Sequence, residues 1–374
     1  MSDKFLGSKE EERHRAISSS PLDLDFNSAK DYEGMVGRIR KVFVLMCLCI
    51  CAGVPALAQE KKGEAEKKIT KQEGYVQSLN EAWGYFMSRK MLVELVALRF
   101  QELKVPSVQA WADFKKKEIG QSLAGLEAIL KESKGKDWED YQFMVLGQMR
   151  AKLADKEISE NAAKEIVRKI KELSAAQVPP DVLMNLVSAH PKFVADPVEE
   201  IKSGFIRRIS SKGMKKAVGV ELEMQSPASW KALEGRTSRM VWRMVSKAGF
   251  GMVVSNLTVL KLSDKMPLEQ VKAALKMPAM KKMAPENSAL ISAKEMTLGG
   301  EPAGMLIYDM YNPAYPGEKI TFRIVQISCV NKGALVQLQF AMSPEKGTKL
   351  DLNEVTKRNM PVFQFMAESV KFAE

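Results

Sequence analysis

Few residues in this chain carry the chemistry of catalysis. Two histidines and four cysteines occur in 374 residues. His190 sits in SAHPKF, directly before Pro191, and His14 lies near the start. A Ser-His-Asp or Cys-His device needs an imidazole of near-neutral pKa, and a zinc site usually needs several His or Cys ligands. Nothing around His190 completes either set, so it reads as a surface or capping histidine. Cys329, in the apolar run IVQISCV, reads as a small buried hydrophobe, with a nucleophile as the competing reading. KMPAMKKMAPE places Met277, Met280 and Met283 at M-x-x-M-x-x-M spacing. Thioethers are soft ligands for Cu(I), yet Met is used 23 times in the chain, and Lys276, Lys281 and Lys282 would repel a cation. Packing is the simpler role, so neither a metal site nor a cofactor is expected. YDMYNPAYPGE, residues 308–318, gathers Tyr308, Tyr311 and Tyr315 beside two prolines and a glycine. Tyrosine offers contact area at low entropic cost and a Pro-held loop is pre-ordered, which makes this a candidate recognition loop. The competing reading is a long hairpin connection whose rings cover the end of a sheet. Paired carboxylates need no sequence signature, so carboxylate-only catalysis stays open.

The compartment narrows these options. VFVLMCLCICAGVPALAQ, residues 42–59, follows Arg38, Arg40 and Lys41. Its uncharged run, residues 42–54, is shorter than the roughly 20 apolar residues that span a bilayer, but it suits the apolar region of a signal peptide. Pro55 then breaks the helix, and Ala56-Leu57-Ala58 supplies a small-x-small cleavage site after Ala58. Met35 directly precedes the basic patch, so residues 35–58 form a complete signal peptide and residues 1–34 read as an extension upstream of the true start. An uncleaved anchor and a lipoprotein modified at Cys51 are the competing readings. Cleavage would remove Cys47, Cys49, Cys51 and His14, leaving no pair of cysteines for an intrachain disulfide even where one is permitted. The expected product is periplasmic or secreted and not an integral membrane protein after cleavage.

The formal charge is +11. Most basic clusters alternate with Glu, as in EKKGEAEKKITKQE, and read as solvated helix faces. The excess also suits contact with an anionic surface such as lipid or polysaccharide. Nucleic acid is not an expected partner, because no aromatic-basic binding motif appears.

Two periodicities divide the chain. Over residues 59–211 apolar residues recur at helical spacing. Tyr75 to Val96 marks a first helix, ended by Val105-Pro106-Ser107. Trp111 to Leu130 marks a second, closed by Gly135. Asp137 caps a third, Ser159 opens a fourth that Pro179-Pro180 stops, and two shorter helices follow, the last running from about Pro197 to Ser210. Over residues 217–374 the pattern becomes three strands, a helix, four strands and a closing helix that contains Pro361. The fold class expected is an all-helical region followed by an α+β sandwich with a mainly antiparallel sheet. SSKGMKK, residues 210–216, would join them as a hinge or as an ordered connection.

Several local features of residues 215–374 resemble the PsbP-like fold. They are the opening strand running into proline and tryptophan (VELEMQSPASW), the strand–turn–strand unit TLGGEPAGMLIYD with a Gly-x-Pro-Ala turn, and the closing helix ending in the strand-like SVKF. That superfamily includes an extrinsic photosystem II protein, a Ran-binding nuclear transport factor and exported bacterial proteins of the DcrB type. It has no shared catalytic set. The resemblance implies a small module used for binding or assembly. The expectation is therefore a non-enzymatic envelope protein that binds an unidentified protein or envelope ligand. The alternative is a carboxylate-dependent hydrolase acting on envelope glycan or peptidoglycan.

Overall fold

The computed structural model describes residues 70–154, 156–263, 268–311, 321–344 and 350–373. The signal-peptide reading, its cleavage site and the upstream extension all fall outside these residues. Among the described residues no helix is long and apolar enough to cross a membrane.

The helical region opens with α1 (Lys71–Arg99). Thr70 caps it reciprocally with Glu73: the Glu73 N–H donates to Thr70 Oγ1 at 3.1 Å and the Thr70 N–H donates to Glu73 Oε2 at 2.8 Å. This satisfies two donors that a helix start otherwise leaves bare. Next come α2 (Lys104–Lys116) and α3 (Glu118–Lys134). Pro106 lies in the first turn of α2, so it begins a helix where the sequence suggested only an ending. The expected second helix is in fact two, broken at the extended Lys117. Lys117 donates through Nζ to the carbonyls of Lys171 (2.6 Å) and Leu173 (3.0 Å), capping the far end of α5. The remaining helices are α4 (Trp138–Ala154), α5 (Glu160–Glu172), α6 (Pro180–Ser188), α7 (Pro191–Ala195) and α8 (Val198–Lys202). Ser159 caps α5 as expected, accepting from the Ala162 N–H. Leu79, Phe86, Phe114, Leu126 and Leu186 are fully buried at the centre of this region.

The last expected helix of this region is only partly helical. After α8 the chain becomes strand β1 (Ile206–Ser210), which pairs antiparallel with β2 (Leu222–Pro227). Ile206 and Ile209 bracket two arginines, a pattern that fits either period over so short a run. The connection between these strands is ordered. Ser211 Oγ donates to Val220 O at 3.0 Å and accepts from the Leu222 N–H at 2.9 Å. Strand β10 (Lys371–Phe372), within the expected SVKF, pairs with the other edge of β2.

The main sheet has seven antiparallel strands in the order β3-β4-β5-β9-β8-β7-β6. They are β3 (Lys231–Glu234), β4 (Met240–Val245), β5 (Val253–Lys261), β6 (Ser288–Leu298), β7 (Glu301–Tyr311), β8 (Thr321–Asn331) and β9 (Ala334–Met342). Short strand β3 went unforeseen. The turn between β6 and β7 is Gly299-Gly300, with φ of 60° and 85°, and Pro302 lies inside β7 opposite Thr297. The Gly-x-Pro-Ala turn read from the sequence is thus displaced by two residues. Both turn residues need positive φ in such a hairpin, which glycine adopts without a Cβ clash.

Two helices cover opposite faces of this sheet. Helix α10 (Leu352–Glu368), which contains Pro361, packs on one face, where Phe363 stacks on Phe340 at 4.1 Å between ring centres. Helix α9 (Leu268–Ala274) and the 3-10 turn Ala279–Met283 pack on the other, against Leu306, Tyr308 and Ile324.

Candidate functional site

The chemistry-bearing residues picked from the sequence do not come together. His190 is buried rather than on the surface. It caps α7 through Nδ1, which accepts from the Lys192 N–H at 3.1 Å, and its ring stacks on Phe193 at 3.9 Å. Its Nε2 lies 3.0 Å from Glu118 Oε2, out of line for a hydrogen bond. Burial lowers its pKa and the Glu118 charge opposes that shift. Cys329 is fully buried facing α10, where burial, with a smaller push from Glu301, raises its thiol to about 12. Such a thiol is not a thiolate near neutral pH, as nucleophilic attack would require. Met280 and Met283 are buried beneath α9 while Met277 is exposed, so the three sulfurs do not face one space. Gly304 makes room for Met280: a Cβ there would lie 2.3 Å from its sulfur.

The tyrosines divide similarly. Tyr308 is fully buried on the α9 face, and its hydroxyl donates to Gln326 Oε1 at 3.2 Å. It is a core residue and presents no surface to a partner. Tyr311 closes β7, and Tyr315 lies outside the described residues.

Burial and register expose a different constellation. On the α9 face a polar row crosses the middle of the sheet. Arg243 on β4 stands opposite Asn256 on β5, Asn256 opposite Gln339 on β9, and Gln339 opposite Gln326 on β8. A second row beside it joins Thr258, Gln337 and Ser328. All seven are buried. Apolar residues bound the rows on both sides, with Ile324 and Ala341 towards one end of the strands and Val330 and Leu335 towards the other.

The hydrogen bonds across the rows run in one direction. Gln339 Nε2 donates to Gln326 Oε1 at 2.7 Å, and Gln337 Nε2 donates to Ser328 Oγ at 3.3 Å. With the amide nitrogens turned towards β8, acceptors remain on the other side. Asn256 Oδ1, Thr258 Oγ1 and Gln337 Oε1 have no hydrogen-bond partner among the described residues. Thr258 is directly opposite Gln337, and Asn256 is two residues along the same strand. An unsatisfied buried polar group costs about 1–3 kcal/mol, so three together on one sheet face stand out from ordinary packing. Burial, and then the nearby Arg236 charge, lowers the pKa of Arg243. The rows hold carboxamides, hydroxyls and one guanidinium, and no carboxylate, imidazole or thiol. They can bind by hydrogen bonding, and they carry no general acid or base that titrates near neutrality.

One buried carboxyl lies elsewhere. Glu200 on α8 accepts from the Ser229 N–H at 2.7 Å and meets the Ser229 hydroxyl at 2.6 Å. Burial raises its pKa to about 7, against the pull of these bonds. Asp309 is held by Arg323 through two bonds of 2.8 Å, at the sheet end beneath the start of α10. Among the described residues no group of three or more His, Cys, Asp or Glu side chains could hold a metal ion.

No protein-family model matches the sequence, and no curated protein is similar to it. Solved structures similar to the C-terminal part of the chain include the following two. Cyanobacterial PsbP (CyanoP) from Synechocystis aligns at 14% identity over 45% of this chain and 92% of its own, with a TM-score of 0.30. The Ran-binding protein Mog1p of Saccharomyces cerevisiae aligns at 9% identity over 44% of this chain and 95% of its own, with a TM-score of 0.29. This is the PsbP-like likeness expected from the sequence. At such identities and scores it says nothing about what the chain binds.

Nothing in the primary sequence marked the polar rows. Asn256, Thr258, Gln337 and Gln339 lie in strands whose alternation fits one wet face, and only the register and the burial of that face bring them together.

Proposed function

We propose that this protein is a non-enzymatic binding module exported to the bacterial envelope, and that the polar rows beneath α9 hold a small uncharged ligand rich in hydrogen-bond donors. One observation carries the reading: Asn256 Oδ1, Thr258 Oγ1 and Gln337 Oε1 are buried acceptors without a partner among the described residues. Ligand sites are apolar enclosures in which a few polar groups fix orientation, and the α9 face has that composition. Two of the three free groups are amide oxygens and the third is a hydroxyl that both donates and accepts, so the ligand should bring mainly hydroxyl or N–H groups. Arg243 already bears the repulsion of Arg236, which disfavours a cation. The export half of the proposal rests on the basic patch, apolar run and small-x-small site of residues 35–58.

Native mass spectrometry of the mature chain, purified without denaturation from its own host's envelope fraction, tests both halves. The expected result is a chain beginning at Gln59 with a bound small molecule, and loss of that molecule in the Thr258→Val, Gln337→Leu double variant. An apo mass for the native protein would overturn the ligand reading and assign the three acceptors to ordered water. An uncleaved chain would overturn the export reading. Turnover of an envelope glycan that one carboxylate variant abolished would overturn both in favour of a hydrolase.

A further inference from the structure

Two features of the helical region fit each other and lie on different elements. The first is a cleft of about 250 Å³ between α1 and α2. Val93 and Ala97 of α1 and Val108, Trp111 and Ala112 of α2 form its apolar walls, and Lys90 and Lys115 also line it. Val108 is 65% exposed, and Leu98 and Val105, which flank the connection between the helices, are exposed too. Single exposed aliphatic residues are ordinary, whereas a cluster around a concave apolar surface marks an interaction site. The second feature is on α4. Phe143 is 79% exposed with Met144 exposed beside it, while Tyr141, Val145 and Met149 of the same helix turn inward. Glu139 and Asp140, also exposed, precede Phe143 by about one helical turn, so they share its face.

We propose that the helical region associates head to tail, with Phe143 of one copy seated in the α1–α2 cleft of the next. The occupant is a second copy because the chain itself presents both halves of a complementary pair. An aromatic anchor flanked by Glu139 and Asp140 meets an apolar cleft rimmed by Lys90 and Lys115. Glu94 is the one acid lining the cleft, and it lies 3.7 Å from Lys90. Aromatic anchors in apolar pockets dominate interface energetics, and charges at the rim set register and the rate of encounter. Head to tail, the anchor and the cleft of one copy engage different neighbours, so the contact generates chains or rings; a two-fold dimer, in which each anchor fills the other's cleft, is the arrangement it competes with.

Sedimentation velocity on the purified mature chain over a wide concentration range tests this. The wild type should grow beyond a dimer as concentration rises. Phe143→Ser, which spoils the anchor, and Val108→Asp, which spoils the cleft, should each remain monomeric. Both positions are exposed, so circular dichroism spectra should match the wild type. An equimolar mixture of the two variants should stop at a heterodimer, since one intact anchor and one intact cleft remain. Lys115→Glu should weaken association, and adding Asp140→Lys should restore it. A wild type that stays monomeric throughout or stops at a dimer, or a Phe143→Ser variant that associates as the wild type does, would overturn the proposal. So would a mixture of the two variants that gives no heterodimer.

Discussion

Along β9, Val336, Leu338, Phe340 and Met342 face α10, while Gln337 and Gln339, between them in sequence, face α9. Both faces are buried, yet their chemistry differs. The α10 face continues through Val325, Ile327 and Cys329 of β8 and Leu257 and Val259 of β5. Its buried polar exceptions on these strands are Ser255, whose hydroxyl has no hydrogen-bond partner among the described residues, and, at the two ends, Asn331, which donates to Glu301 Oε1 at 3.0 Å, and Arg323, whose charge Asp309 meets. That face is organised for apolar burial, the main driving force of folding. The α9 face retains carboxamides and hydroxyls where Leu or Val would fill the space without leaving acceptors unpaired. Between two faces of one sheet, strand propensity and backbone are held constant. The difference therefore concerns what each face must contact, and it singles out the α9 face as the one not optimised for stability alone.

The largest expected effect tests the α10 face. Phe340→Ala removes a fully buried ring that stacks on Phe363. A loss of about 3–5 kcal/mol is expected from lost transfer energy plus the residual cavity, read as a lower urea midpoint at unchanged slope. A loss below about 1 kcal/mol would mean that this face is not the better-packed one, and the contrast would fail.

Glu200 supplies an intermediate reference, a buried polar group whose hydrogen bonds are made. Its pKa rises from 4.5 to about 7 in the folded protein, first through burial. The folded state therefore holds this proton more tightly than the unfolded state. The associated stability is fully present below about pH 4.5 and is lost as pH climbs through about 7. The loss amounts to about 3 kcal/mol. Urea unfolding at pH 5 and pH 8 should show the decline. Glu200→Gln, which mimics the protonated form, should lessen it by that amount. An identical pH dependence in the variant would show that the carboxyl is not desolvated as its surroundings indicate.

Parts of this arrangement were legible in the sequence for definite reasons. Ser159 and Gly135 mark helix ends through chemistry that acts within a few residues, and both were placed correctly. The strands β5 to β9 show alternation and turn residues over nine to eleven positions each, enough for the period to be unambiguous. Ile206–Ser210 offered only five residues, and its state is decided by pairing with β2, which no local signal reports. Tyr308 looked like part of a loop because prolines follow it. Its position on β7, with the ring turned under α9, is set by the register with β8. The polar rows were least legible. Alternating Gln and apolar residues on β9 describe a strand with one wet face as well as they describe one buried on both.

The smallest effect bears most directly on the α9 face. Thr258→Val replaces a buried hydroxyl by a methyl group of nearly the same shape. On the α10 face an equally buried group is sustained by packing, so altering it costs stability. Thr258 Oγ1 has no hydrogen-bond partner among the described residues, and removing an unsatisfied acceptor together with its desolvation penalty should be neutral or stabilising by about 1 kcal/mol. The measurement belongs on protein refolded from denaturant, so that any co-purified ligand is gone. A destabilisation above about 1 kcal/mol would show that the hydroxyl is engaged by the protein itself, and the rows would then be an internal network rather than a site. Neutral or raised stability, combined with loss of the ligand from natively purified protein, would separate the two faces by purpose: one kept for folding, the other retained despite it.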